Sequence, residues 1–517
     1  MNTSAPEPLH KVERKYEAGP DQPMPSLSGL PGVEGEPVPE SIQLSALYYD
    51  TADLRLLDAG ITLRRREGAD EAGWHLELPA GTETRTELQL SPDADGAEIP
   101  DEFADLLTGV TRGAALDPVA LITTDRERYR LMDSSGSSLT DVFSDMVIAA
   151  VPDGSPGPDE RIWREIEVAQ GTGGRELVDA VESRLLGAYI TRSAHFSKLS
   201  RALGDRLGTS GSQPDAARSK KKPGPRVALV QYIAGQSREL TRADMGVRRD
   251  TEESVHDMRV AARRIRSVLQ VYGSHLGDDD VVDNLVTELR WLGQSLGTAR
   301  DTEVQWSRLV DELEDISEMP DHEIVRARID EYFSGLAATA RPAALHALGS
   351  ERYLTLLSDL EAFVATLDES LPAKRRPPSS ADVARALRAL SDAVDKRVQH
   401  AAEATTRAER DELTHRARKR AKRMRYTIEA TRELSPRAAD RALATFKGFQ
   451  DVLGDYQDAV VARQHLLSMV AEEQHSAQAN LGLGMLFHRE LTTGDHLATR
   501  MKPEWKSAKK AARKLRK

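Results

Sequence analysis

Two stretches of the chain carry fixed positive charge at matching intervals. His256 to Ser267 reads HDMRVAARRIRS, and His415 to Tyr426 reads HRARKRAKRMRY, 159 residues later. His256, Arg259, Arg263, Arg264 and Arg266 align with His415, Arg418, Lys422, Arg423 and Arg425. Leu296 to Asp301 (LGTARD) matches Leu453 to Asp458 (LGDYQD) at an offset of 157. A nearly constant offset across two separate motifs marks an internal duplication. At about 100° per residue, His256, Arg259, Arg263 and Arg266 share an arc of roughly 80° on a helix. His415, Arg418, Lys422 and Arg425 share the same arc in the second copy. Met258, Ala261, Ile265, Val268, Leu269 and Tyr272 fall on the opposite side of the first helix, and Ala417, Met424 and Ile428 on the opposite side of the second. One such stripe could be a solvated face. Solubility does not require the same cations at the same spacing twice. The basic runs also lack the acid one turn away that would pair their charges. The stripes are therefore expected to be unpaired and to receive an anion.

The first 200 residues carry a different constellation. Charged residues recur at i, i+2, which places both on one face of a strand. The pairs are Glu13 and Lys15, Arg64 and Arg66, Arg85 and Glu87, Arg126 and Arg128, and Glu165 and Glu167. Val12, Leu63, Leu76, Ile166 and Val168 fall on the other face. A sheet with one wet face gives this alternation too. Here, however, clustered Arg and clustered Glu recur on at least five strands. A closed barrel with a polar lumen would gather them around one cavity. Arg and Lys there would hold phosphate oxygens, Arg bidentately. The carboxylates would hold a hard divalent cation, Mg²⁺ or Mn²⁺. That combination suits metal-assisted phosphoryl chemistry.

The elements that must position these groups divide the chain. Period-two alternation predicts strands at Ile61 to Arg66, Trp74 to Leu78, Arg85 to Leu90 and Ile162 to Val168. A Pro- and Gly-rich stretch, 18–40, reads as a long loop, and Leu177 to Leu203 as a helix. Residues 9–206 thus form a first domain and 207–225 a polar linker. Residues 226–500 form a duplicated helical domain, with repeats at about 226–375 and 380–500. Residues 501–517 read as a basic tail. The predicted fold class is α+β: an antiparallel β-barrel or tunnel, then an all-α duplicated helical bundle.

Composition narrows the functions. The chain has 517 residues, a net charge of −12, 30% charged and 5% aromatic residues, and no cysteine. Disulfides, thiolate metal sites and thiol nucleophiles are excluded. No apolar run reaches the roughly 20 residues of a membrane span, and no signal peptide is visible, so a cytoplasmic location is expected. Net acidity argues against indiscriminate nucleic-acid binding. No aromatic residues interleave with the stripes to stack on bases, so nucleic acid is not the expected partner.

Several motifs together resemble known families. VERKY (Val12 to Tyr16), YYDTADLRLLDAGITLRRR (Tyr48 to Arg66), WHLELPAG (Trp74 to Gly81), RTE (Arg85 to Glu87), WREIEV (Trp163 to Val168) and SKL (Ser197 to Leu199) resemble a CYTH domain, of the triphosphate tunnel metalloenzyme superfamily. The duplicated His/Arg/Lys helices resemble a CHAD domain, a helical module that binds inorganic polyphosphate. Each motif alone is weak; their joint order and spacing are specific, and they cover nearly the whole chain outside tail and linker. The resemblance implies metal ligation by Glu13, Glu87, Glu165 and Glu167. It implies triphosphate contacts from Lys15, Arg64, Arg66, Arg85, Arg126 and Lys198, with Glu13, Lys15, Glu165 and Glu167 as the catalytic set. It implies polyphosphate binding by His256, Arg259, Arg263, Arg266, His415, Arg418, Lys422 and Arg425. Asp301 and Asp458 read as structural, orienting nearby Arg residues. The implied ligands are inorganic polyphosphate and a short-chain or organic triphosphate, with association with polyphosphate granules.

Two positions depart from the family pattern. The first strand reads Lys-x-Glu-x-Lys, with Lys11 where the family has Glu. Glu77 stands where relatives carry Lys. The two changes have opposite sign, so Lys11 and Glu77 either trade roles or pair, or the barrel binds without turnover. Two readings follow: a metal-dependent triphosphatase with a polyphosphate-binding module, or a non-catalytic polyphosphate-binding protein with a degenerate barrel. Cyclase activity ranks below both, because nothing selects a purine or ribose.

Overall fold

A computed structural model describes residues 9–68, 72–81, 84–91, 98–151, 159–203, 223–316, 321–368, 376–472 and 477–516. The chain forms two compact units, Met1–Arg218 and Ser219–Lys517.

In the first unit the alternating segments become strands β1 (Leu9–Ala18), β2 (Glu40–Asp50), β3 (Thr62–Glu67), β4 (Gly73–Pro79), β5 (Thr84–Leu90), β6 (Asp117–Met132), β7 (Ser138–Val151), β8 (Asp159–Ala169) and β9 (Thr191–Arg192). Their order is β5-β4-β3-β2-β6-β7-β8-β1-β9, and a further β5–β1 pairing closes the first eight strands into an antiparallel barrel. Closure leaves no long unpaired edge. Register sets what meets across the wall. Lys15 stands opposite Glu167, Arg126 opposite Asp145, Asp145 opposite Glu165, and Glu77 opposite Glu87. Cross-strand partners share a face, so these groups all point the same way, inward.

The strand faces divide the work. Outward residues Tyr16, Ile166 and Val168 pack on Leu177, Val181 and Leu185. Those three lie on one stripe of a helix. Here α1 is Arg55–Asp58, α2 Asp101–Thr111, α3 Gly174–Gly187 and α4 Lys198–Leu203. The segment expected as one helix, Leu177 to Leu203, is therefore two. The chain turns at Tyr189, whose φ of 61° lies in the left-handed region, and pairs briefly as β9 before α4. In α4, Leu199, Ala202 and Leu203 are buried against Ile122, Val147, Ala149 and Trp163. These four lie an even number of residues from Arg126, Asp145 and Glu165 on the same strands, so they share the inward face and α4 plugs its apolar end. Asp50, in the YYDT motif, is fully buried and accepts backbone N–H groups of Thr51, Leu56 and Leu57 at 2.7, 2.9 and 2.9 Å. It fixes the turn that leads into β3.

The second unit is helical: α5 (Pro225–Arg248), α6 (Ser254–Leu276), α7 (Asp279–Ser295), α8 (Gly297–Glu314), α9 (His322–Leu348), α10 (Glu351–Asp368), α11 (Ser380–Glu403), α12 (Arg407–Ala430), α13 (Pro436–Ala471) and α14 (Ala477–Ala511). The basic repeats fall on α6 and α12. Met258, Ala261, Ile265, Val268, Leu269 and Tyr272 join one core with Ala417, Met424 and Ile428. LGTARD lies at the break between α7 and α8, whereas LGDYQD runs inside the continuous α13. Ser379 starts α11 with a reciprocal capping box to Asp382, matching the RRPPSS join. Among the described residues no helix is long and apolar enough to cross a membrane.

The basic C-terminal segment is not a tail. Helix α14 continues through it, and Met501, Trp505, Ala508 and Ala512 are buried. Trp505 lies 6.0 Å from the Phe446 ring and 5.2 Å from the Phe449 ring, and its indole N–H donates to Asp395 at 2.8 Å. Dense Lys and Arg hide this apolar stripe from a reading by composition. Trp505→Ala should cost about 3–5 kcal/mol of stability in urea unfolding; an unchanged midpoint would restore the tail.

Candidate functional site

The barrel lumen holds two connected groups of charges. The first centres on Lys198, delivered by the plug helix α4. Its ammonium lies 2.8 Å from Asp145, 2.9 Å from Glu165 and 2.9 Å from Glu167. Arg126 donates to Asp145 at 2.8 and 2.6 Å and to Glu167 at 2.8 Å, with its guanidinium 4.1 Å from the Phe143 ring centroid. Lys15 also donates to Glu167 and lies 3.7 Å from Glu13. The Trp163 indole N–H donates to Glu165 at 2.7 Å. Burial alone would push the Glu167 carboxyl up, but Lys15, Lys198 and Arg126 outweigh it and hold it well below the usual carboxylate range. Burial would likewise discharge Lys198; Asp145, Glu165 and Glu167 outweigh that and hold its ammonium charged well above its ordinary value.

The second group lies on β3, β4 and β5. Arg64 lies 2.6 Å from Glu77 and 3.2 Å from Glu87. Glu87 also meets His75 Nδ1 at 2.9 Å and accepts from Gln89 at 3.1 Å. Arg66 is pulled down to about 10 by burial and by neighbouring Arg64. Arg85 stacks on Phe196 at 5.0 Å and feels the carboxylates of Glu77 and Glu13.

Lys15, Arg64, Arg66, Arg85, Arg126 and Lys198 thus share the inward face with Glu13, Glu87, Glu165 and Glu167. The metal-ligand group expected from the sequence is rearranged. The carboxylates that come within 4.8 Å of one another are Asp145, Glu165 and Glu167, all buried. Glu87 is committed to Arg64, His75 and Gln89, and Glu13 stands apart from the trio. Asp145 escaped the sequence reading because Phe143, not a second charge, sits two residues before it. Its signal was an acid inside the otherwise uncharged stretch 142–151 of β7. Glu77 is taken up by Arg64. Lys11 pairs with Arg85 through the strand backbone, and its side chain lies outside the described residues. Three buried carboxylates are a hard-oxygen donor set that suits a divalent cation; here they hold an ammonium instead.

The second unit presents a cleft of about 790 Å³ between α6, α7, α8, α12 and α13. His256, Arg259, Arg263 and Arg266 line one wall, and His415, Arg418 and Lys422 the other. Arg290, Arg300, Lys419 and Arg423 add charge the stripes did not include; they come from α7, α8 and a neighbouring face of α12. Asp301 and Asp458 supply the acids of the lining.

The expectation of unpaired stripes is corrected at two residues. Arg259 donates to Asp301 at 2.9 Å and to the Gly297 carbonyl at 2.8 Å. Arg425 donates to Glu429 at 2.8 Å and to Gln450 at 2.6 Å, and it is not part of the cleft lining. Among the described residues, Arg263, Arg266, Arg418 and Lys422 have no carboxylate within ion-pair distance. Burial, then Arg263 and Arg418, pull the Lys422 ammonium down to about 6. Burial lowers His256 and His415 as well, and His415 meets Gln457 at 2.7 Å. Uncompensated, half-buried cations repel one another, and an anion relieves that repulsion.

Comparison with known proteins agrees with this division. Residues 9–201 match the CYTH domain model and residues 231–467 the CHAD domain model. Two Mycobacterium tuberculosis proteins, both called uncharacterized (MT2285 and Rv2226), are 33% identical over 538 aligned residues, spanning 100% of each chain. Among solved structures, PptA from Streptomyces chartreusis is 21% identical, covering 55% of this chain and 100% of that one, with a TM-score of 0.45. The CHAD domain from the plant Ricinus communis is 22% identical, covering 57% and 96%, with a TM-score of 0.44. The chain therefore belongs to the family of proteins in which a CYTH domain, here residues 9–201, precedes a CHAD domain, here residues 231–467.

Proposed function

We propose that the tunnel binds an inorganic or organic triphosphate with Mg²⁺ or Mn²⁺ and hydrolyses it, and that the helical cleft binds inorganic polyphosphate. One observation carries the reading: inward-facing cations surround three buried carboxylates in the tunnel. Asp145, Glu165 and Glu167 would hold the divalent ion, which when bound supplies charge neutralisation and polarises a phosphoryl oxygen. Arg64, Arg66, Arg85 and Arg126 would clamp phosphate oxygens, and Lys15 would hold a non-bridging oxygen of the reacting group. Glu13, tied only loosely to Lys15, would accept the proton of the attacking water. Lys198 would leave the carboxylates and move to phosphate. The helical cleft would gather the chain on polyphosphate, including polyphosphate granules in the cytoplasm, and raise the local substrate concentration.

The test of the metal assignment is direct Mn²⁺ binding. Lys198→Met removes the ammonium that fills the carboxylate trio. Mn²⁺ affinity should tighten by roughly tenfold or more, since several kcal/mol of close charge attraction is no longer displaced. Equal or weaker Mn²⁺ binding in a folded variant would remove the trio as the metal site.

A second reading is a binding protein without turnover. It is favoured by the charge balance of the lumen: Lys15, Arg64, Arg66, Arg85, Arg126 and Lys198 are matched by Glu13, Glu77, Glu87, Asp145, Glu165 and Glu167. A triphosphate must compete with these internal pairs. Absence of phosphate release from a folded protein that binds long polyphosphate would select this reading.

A further inference from the structure

The two basic helices differ at an informative position. Arg263 on α6 aligns with Lys422 on α12. A guanidinium stays charged in any protein, whereas an amine can release its proton and become a nucleophile. Lys422 lies one helical turn from Arg418, on the cleft side of α12. Arg259 and Arg263 approach it from α6 and Asp458 from α13. Arg290 from α7, and Arg300 and Asp301 from α8, line the same cleft. Among the described residues no hydrogen bond or ion pair holds its amine.

We infer that Lys422 is a modification site: acyl phosphates captured in the cleft transfer their acyl group to its amine. The inference rests on the anion-binding reading of the cleft. Arg263 and Arg418 hold the phosphate, which brings the carbonyl carbon to the amine. The C–N bond forms as the C–O bond to phosphate breaks. The amine proton leaves with the phosphate, giving an amide and hydrogen phosphate, with no redox change. The product amide can no longer take up a proton when a polyanion binds, and it has gained bulk in the cleft, so polyphosphate affinity falls. Acylation would thus switch the cleft off when acyl phosphate is abundant.

The burial and crowding of cations that bring Lys422 to about 6 leave most of its amine neutral at pH 7. At subsaturating acyl phosphate its rate should therefore level off above about pH 7, whereas exposed lysines keep accelerating toward pH 10.

The experiment treats the full-length protein with acetyl phosphate between pH 6 and 9 and follows each lysine by peptide mass spectrometry. Lys422 should react at least tenfold faster than Lys419, which is exposed in the same cleft, and Lys502, which is exposed elsewhere. Tripolyphosphate should slow Lys422 and leave Lys502, outside the cleft, unchanged. Acetic anhydride, which lacks the phosphate, should show a smaller preference. Equal rates at Lys422 and Lys419 overturn the inference, as does a preference that is the same with both reagents. Polyphosphate binding by the untreated protein is measured in parallel. If it is intact while Lys422 is unselected, only this inference falls; if both fail, the anion-binding reading falls with it.

Discussion

Phosphate release from tripolyphosphate should fall about 10²- to 10³-fold when Glu165 is replaced by Gln, with Mg²⁺ or Mn²⁺ present and the fold intact. The magnitude is that of removing one preorganised electrostatic group from a water-poor site. Glu165 is the informative member of the trio because of what else it touches. It meets Lys198 at 2.9 Å and accepts from Trp163 at 2.7 Å, and a carboxamide keeps its shape and can still accept the indole proton. Glu167 is different. It is shared by Lys15, Arg126 and Lys198, so Glu167→Gln takes a charge partner from three lumen cations at once and should also cost about 3–5 kcal/mol of stability. The pair of variants separates chemistry from architecture. Metal-dependent release that survives in both would sink the tunnel hydrolase.

Polyphosphate binding should fall by roughly 10²- to 10⁴-fold in the double variant Arg263→Glu/Arg418→Glu. Each residue lines the cleft, one from each repeat, and neither has a carboxylate within ion-pair distance among the described residues. Each lost charge-assisted contact is worth about 1.5–3 kcal/mol, and the new carboxylates add repulsion. The logarithm of the affinity should also depend less steeply on salt, because fewer counterions are released, by analogy with nucleic acids. Arg425→Glu serves as the comparison: its guanidinium is occupied by Glu429 and Gln450. Each Arg→Glu change shifts the net charge by two, so a loss in Arg425→Glu half that of the double variant on a logarithmic scale would mean that the effect is net charge and not the cleft. Binding at wild-type strength in the double variant would make the stripes ordinary surface.

The sequence was most legible where a short period met a sharp contrast. Alternation at two residues located the strands and turned Lys15, Arg64, Arg126 and Glu167 toward one lumen. The duplicated spacing placed both cationic helices and their buried faces. What escaped it depended on distance or masking. The pairing of Arg259 with Asp301 joins positions on different helices, and no local period reports it. Asp145 was hidden by Phe143, because an aromatic two residues before it breaks the i, i+2 repeat of charges. The turn at Tyr189 was masked by helix-like apolar residues on both sides. Trp505 was masked by lysines. The Arg425–Glu429 pair is different: it is an i, i+4 contact within α12, legible in the sequence from the acid one turn past the end of the basic run.

The hydrogen bond from Trp163 to Glu165 has an optical meaning. An indole that donates to a carboxylate feels that group's electrostatics, so whatever engages Glu165 should also change the light Trp163 emits. The barrel unit has one other tryptophan, Trp74, buried on β4 with its ring 5.1 Å from Tyr49. Trp163 is therefore a chromophore wired to the carboxylate trio, and the tunnel carries its own indicator dye.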